Sequence, residues 1–143
     1  MLEGSYYAGV AFTRAYVGYV HAIAHNFGGM YGTPHGLANA VILPYVLDWF
    51  GASAYKRLAE LADVAGIVTT EKTDEEKAKL FIAKIRELNK KFGIPEHLEA
   101  KKEDIEIIAQ RALREGNPLY PVPVLMDRYE LEAIYHQLML KEN

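Results

Sequence analysis

The chain has 143 residues, 50% of them apolar and 24% charged, with no cysteine and a formal net charge of −3. That length supports one globular domain with a buried core. The lack of cysteine excludes a disulfide framework and a thiolate metal site, so any metal must sit on histidine or carboxylate, as suits a reducing cytosol. The mild acidic excess argues against a nucleic-acid partner. The longest apolar stretch, Tyr6 to Ala24, is interrupted by Arg14 and His21, and Met1-Leu2-Glu3 lacks the basic start of a signal peptide. We therefore expect a cytoplasmic protein with no membrane partner.

Charge is unevenly placed. Residues 1 to 50 carry only Glu3, Arg14 and Asp48, leaving 32 charged residues among the remaining 93. A segment so poor in charge is either the centre of the core or a face built to meet another protein surface. In chain order, Ser5 caps a predicted long helix running to about Phe27, with Gly28-Gly29 as its left-handed stop and Gly9 and Gly18 allowing close approach of a neighbouring backbone. Thr33 caps the next, with Pro34 in its first turn and Ala38, Val41, Ile42, Val46 and Leu47 on its apolar face; Pro44 should kink it. Apolar spacing of three and four predicts helices over Ala54 to Ala65 (Leu58, Leu61, Ala62, Ala65), Asp74 to Phe92 (Ala78, Phe81, Ile82, Ile85, Leu88) and Lys102 to Arg114 (Ile105, Ile108, Ala109, Ala112). Thr73 and Glu76 form a capping box. Gly116-Asn117-Pro118 opens an irregular stretch through Pro121 and Pro123, and Asp127 caps a last helix to about Leu140, with Leu131, Ile134, Tyr135 and Leu138 on one face. No period-two alternation appears, so the fold class is all-α: a single helical domain over 1–143, with an inner helix pair over 5–50 and outer helices over 54–141.

Three of the five histidines lie in the charge-poor part. His21 and His25 are four apart on the predicted first helix, which puts both imidazoles on one face, roughly 6 Å apart along the axis. His35 opens the second helix just across the Gly28 to Gly32 reversal, so a tight helix-turn-helix can bring it back to the other two. Its place near a helix N-terminus disfavours the imidazolium and keeps the ring able to coordinate. Burying imidazoles without charged neighbours is costly unless each finds a partner, and a cation is an efficient one. Ala22 stands where a zinc-protease motif needs glutamate, and Gly28-Gly29-Met30-Tyr31-Gly32 lacks the phosphate-loop pattern, so it is a turn between helices. His97 and His136 sit among polar residues and read as surface histidines. Tyr6, Tyr7, Tyr16, Tyr19 and Tyr31 read as buried tyrosines with bonded hydroxyls.

The run from Gly18 to Asn39, GYVHAIAHNFGGMYGTPHGLAN, combines His-x3-His-x9-His with Gly-Gly and Pro-His-Gly, and it resembles the histidine signature of the iron-containing (group III) alcohol dehydrogenases. The likeness continues through Asn89 to Pro95 and Gly116-Asn117-Pro118 to the final helix; Phe27 stands where that family more often has an aliphatic residue. The resemblance implies a helical bundle like the C-terminal domain of those enzymes. It implies that His21 and His35 are two of three histidine ligands to Fe²⁺ or Zn²⁺. It also implies that His25 is a nearby non-ligand histidine facing the nicotinamide of NAD or NADP and the substrate. A metal so held acts as a Lewis acid while hydride passes between a small alcohol and the coenzyme. The family's aspartate and first histidine come from an Asp-x3-His helix, and its nucleotide loop from an N-terminal domain; neither motif is in this sequence. The chain therefore reads as the C-terminal part of such an enzyme, inactive by itself, with the missing nucleotide-binding half and a small alcohol or aldehyde as partners and a homo-oligomer as its assembly. Two other readings stand beside it: a non-catalytic helical module that self-associates through its apolar face, and a small metal-binding protein whose site a carboxylate completes.

Overall fold

Glycine and proline punctuate a chain that is otherwise rich in helix formers, and the helices follow that punctuation. The computed structural model describes residues 2–67 and 72–139. Over these run α1 (Leu2–Ala15), α2 (Tyr19–Tyr31), α3 (His35–Phe50), α4 (Ala52–Val64), α5 (Asp74–Lys91), α6 (Ile105–Gly116) and α7 (Arg128–Leu138), with a 3-10 turn at Lys102–Asp104 and no strand among the described residues. The all-α expectation holds. The two capping signals were legible too: Thr73 accepts from the Glu76 N–H while Glu76 reaches back to the Thr73 N–H, and Asp127 does the same with Glu130. The predicted end at Leu140 lies outside the described residues.

Apolar residues at helical spacing build the core. Ile105, Ile108, Ala109 and Ala112 of α6 and Leu131, Ile134, Tyr135 and Leu138 of α7 are buried against Tyr19, Ala22, Ile23 and Phe27 of α2 and Ala38, Val41, Ile42 and Val46 of α3. Helices α4 and α5 pair through a smaller cluster of Ala54, Leu58, Ala78 and Ile82. Leu61 and Leu88, expected on inner faces, are 49% and 39% exposed, because the two helices that carry them face each other over a narrow seam and little else covers them.

The first helix begins at Leu2, with Ser5 inside it rather than at its cap, and two later boundaries also differ from the sequence expectation. The single helix predicted from Ser5 to Phe27 is broken at 16–18, where Tyr16 adopts φ 62° and Gly18 is extended. The Gly18 carbonyl then accepts from the His21 and Ala22 N–H groups and starts α2. The break lets α2 enter the core while α1 keeps no buried residue, so Tyr6, Tyr7 and Tyr16 are 68%, 62% and 66% exposed rather than buried. The close approach of a backbone expected at these glycines is not seen: a Cβ at Gly18 would lie 3.4 Å from the Val122 side chain, and nothing comes within 4 Å of Gly9. The second difference is that α2 runs through Gly28-Gly29 and stops at Gly32, whose φ of 68° favours glycine. Pro34 then precedes α3, with no cap from the Thr33 side chain.

Helix α3 continues through Pro44. Proline has no N–H to give the carbonyl four residues before it, and here the Asn89 amide of α5 donates to that Ala40 carbonyl at 2.7 Å. A second side-chain anchor joins α2 to the loop after α6. The buried Tyr19 hydroxyl donates to Asn117 Oδ1 and accepts from the Met126 N–H at 2.8 Å, and Asn117 Nδ2 donates to the Met126 carbonyl at 3.0 Å. Gly116 is buried on the Tyr19 ring so closely that a Cβ there would stand 2.6 Å from Cε1.

Two outcomes follow. Asn89→Ala leaves the Ala40 carbonyl without its donor and costs about 1–3 kcal/mol in urea unfolding; in a Pro44→Ala background, which restores a backbone N–H to that carbonyl, the same change costs about 1 kcal/mol less. Gly116→Ala lowers the urea midpoint by the equivalent of about 1–3 kcal/mol, because the Tyr19 ring has no room to yield.

Candidate metal centre

From His21 to Tyr31 helix α2 rises about 15 Å, so His35 reaches His21 only if the connection returns along α2. It does so: the Gly32 N–H bonds the Gly28 carbonyl at 3.2 Å and the Thr33 N–H bonds the Phe27 carbonyl at 3.3 Å. The Thr33 carbonyl lies beside Gly28, at an ordinary contact distance of 3.6 Å from where a Cβ would stand. Three residues are thereby spent in moving back, and α3 begins beside the middle of α2. The C-terminal end of α2 is held in turn by Tyr31, whose hydroxyl donates to Asp104 at 2.6 Å.

The three imidazoles meet as the spacing predicted. Ring centroids are 5.3 Å apart for His21 and His35, 5.3 Å for His25 and His35, and 6.0 Å for His21 and His25. Two rings bound to one tetrahedral ion through nitrogens about 2.0–2.1 Å from it have centroids roughly 5 Å apart, and their planes are free to differ. His21 and His35, tilted by 55°, have that relation. His25 and His35 are stacked at 17°, so their in-plane lone pairs run side by side rather than meeting. Accordingly, among the described residues no three histidine or carboxylate side chains gather as a set for one ion. The donors fit half of a tetrahedral site.

The surroundings tune the rings. His21 is half-buried, and burial, with the neighbouring His35 and His25 adding to it, holds its pKa below the ordinary 6.5. A neutral ring is what coordination needs. His35 Nε2 lies 2.9 Å from Asn39 Nδ2, while Asn39 Oδ1 is buried with no partner. In this orientation the amide donates to Nε2; turned over, Oδ1 accepts from Nε2–H, which leaves the lone pair on Nδ1. The orientation of the Asn39 amide therefore decides which His35 nitrogen keeps a free lone pair. Beside His21 and Asn39 an apolar groove of about 470 Å³ runs past Leu43, Phe50 and Val122.

Glu115, a residue that spacing in the sequence did not single out, enters from α6: its Oε1 is 2.6 Å from His25 Nδ1 and accepts from the Tyr120 hydroxyl at 2.8 Å. Burial and that carboxylate push the Tyr120 pKa up to about 12, so the phenol is a donor. Only the contact of α6 with α2 brings Glu115 to His25, 90 residues away. The outlying histidines stay apart from the three: His136 is exposed, as expected, whereas His97 is half-buried, with Nδ1 3.1 Å from the Gln137 carbonyl.

The profile of the Fe-containing alcohol dehydrogenase family, C-terminal, matches residues 1–139. The chain is 38% identical over 140 residues to the 1,3-propanediol dehydrogenase of Klebsiella pneumoniae, covering 96% of this chain and 36% of that protein. It is 40% identical over 139 residues to alcohol dehydrogenase 4 of Saccharomyces cerevisiae (strain S288c), covering 94% and 35%. A crystal structure of a 1,3-propanediol oxidoreductase superposes with a TM-score of 0.85 at 38% identity, over 92% of this chain and 35% of that one. The chain belongs to the iron-containing alcohol dehydrogenase family, whose C-terminal part it matches. It spans about a third of the length of these relatives. No helix among the described residues is long and apolar enough to cross a membrane.

Because His21 is held neutral in the fold, the unfolded chain takes up more protons than the folded one below pH 6.5. Stability should therefore be level above that pH and decline on acidification through it. The urea midpoint at about pH 5.5 should fall below that at about pH 7.5, and the drop should shrink in His21→Gln; an equal drop in both proteins would assign the effect to other groups.

Proposed function

We propose that this chain is the metal-holding helical part, one domain over 1–143, of a cytosolic NAD(P)-dependent alcohol dehydrogenase, with His21 and His35 as two ligands of Fe²⁺ or Zn²⁺. The observation that carries the reading is the pair of tilted rings 5.3 Å apart. When bound, the ion supplies Lewis-acid polarisation of a small alcohol or aldehyde oxygen. The chain's own residues do the rest. His21, kept neutral by burial, offers a lone pair without first losing a proton. Asn39 holds the His35 ring, and the groove past Leu43, Phe50 and Val122 offers an apolar surface beside His21. His25, stacked on His35 with its Nδ1 taken by Glu115, stands at the edge as the group facing substrate and nicotinamide. The remaining ligands and the NAD or NADP site belong to a partner, the nucleotide-binding half, which the one-third coverage of the relatives supports.

The reading is tested by mixing the chain with an N-terminal nucleotide-binding polypeptide of a relative, adding Fe²⁺ or Zn²⁺, and following NADH or NADPH formed from simple alcohols; silence with every partner counts against it. In the complete assembly, His21→Ala or His35→Ala should abolish metal retention after dialysis, read by elemental analysis. His25→Ala should keep the ion and lose about 100-fold or more in rate. Loss of the ion in His25→Ala would make His25 a ligand and overturn its assignment to the substrate side.

A second reading is favoured by α1, whose exposed Tyr6, Tyr7 and Val10 share one face of the helix: a non-catalytic module that self-associates as a homo-oligomer. Sedimentation of a stable oligomer with no metal requirement would support it over the first.

A further inference from the structure

A carboxylate accepts hydrogen bonds and cannot donate them. Glu115 Oε1 faces His25 Nδ1 at 2.6 Å on one side and the Tyr120 hydroxyl at 2.8 Å on the other. Both contacts must therefore be donated to it, and in the neutral ring the hydrogen of His25 sits on Nδ1. The side chains of His25 and Glu115 keep 45% and 31% of their accessible surface. A pair so exposed contributes little to stability, so its consequence is orientation. The backbone that carries Glu115 is fixed independently of the pair. Gly116, the next residue, is pressed on the Tyr19 ring, and Asn117 after it is bonded to Tyr19 and Met126. Tyr120 is tied back by its own N–H to the Gly116 carbonyl at 3.1 Å.

We propose that Glu115 is a positioning residue that locks the ring and tautomer of His25, placing the hydrogen on Nδ1 and the lone pair on Nε2, across the ring from α6. The inference rests on the reading that His25 takes part in the site between α2 and α3, and it adds to that site a residue from a third helix. An imidazole in solution exchanges between two tautomers and many ring rotations; tied at Nδ1 to a fixed carboxylate, it offers one nitrogen in one direction. His25 then presents the same face to whatever docks against the histidines, without needing to be ordered by it.

The test is the tautomer itself, read on the whole chain by long-range ¹H–¹⁵N correlation of the imidazoles at about pH 9, well above the ordinary imidazole range. His25 is assigned from the signals missing in His25→Gln. The parent should show Nδ1 bearing hydrogen and Nε2 bearing the lone pair, and in Glu115→Leu that form should fall from the dominant one to the minor one with helical circular dichroism unchanged. An Nε2–H tautomer in the parent overturns the proposal even if Glu115→Leu does not fold; so does an unchanged tautomer in a folded Glu115→Leu. Zinc titration of the parent mixed with the nucleotide-binding polypeptide of a relative, which supplies the remaining ligands, separates this from the metal reading. No zinc uptake with the Nδ1–H form intact supports the Glu115 role and counts against the metal site alone, and zinc uptake with an Nε2–H ring does the reverse.

Discussion

The return of the chain along α2 is the constraint on which the candidate site depends. A helix end followed by an ordinary turn would leave His35 near Tyr31, about 15 Å below His21. Instead Gly32 takes a left-handed conformation and bonds back to Gly28, and Thr33 bonds back to Phe27. These small residues set the starting level of α3 and so the meeting point of the three rings. The apolar faces of α2 and α3 then hold that level, because any slide would expose Ile23, Phe27, Val41 and Ile42, all of which are buried.

Around this pair the interior is made consistent by a few polar side chains that answer backbone needs. Pro44 deprives Ala40 of a helical partner and Asn89 supplies one from α5. Tyr19 spends its hydroxyl on Asn117 and Met126, which closes the proline-rich loop over the start of α2. Each is a bond between segments far apart in the chain, and each fixes an element whose neighbour carries a site residue. Asn89 steadies the helix of His35, and the Tyr19 anchor steadies Glu115 through Gly116 and Asn117.

Low charge over residues 1 to 50 has two different causes that composition cannot separate. In α2 and α3 it reflects burial in the main core. In α1 it does not, since that helix buries nothing and displays Tyr6, Tyr7, Val10 and Phe12. An apolar helix with no buried residue, α1, therefore directly precedes the helix that carries His21 and His25.

Local rules determined much of this from the residues alone. The capping boxes at Thr73 and Asp127, the helical periodicity of α5, α6 and α7, and the facing of His21 and His25 each depend on residues within a turn or two of one another, where backbone geometry leaves few choices. The His-x3-His-x9-His spacing also made the convergence of His35 legible, because a short connection limits how far it can stray. What the sequence missed was decided at a distance. The break at Tyr16 to Gly18 arises because α2 is drawn into a core that α1 does not enter. The Asn89 remedy for Pro44 and the Glu115 contact with His25 exist only once α5 and α6 are packed. Which nitrogen of an imidazole carries its hydrogen is set by the atom facing it, and only the folded chain brings that atom there.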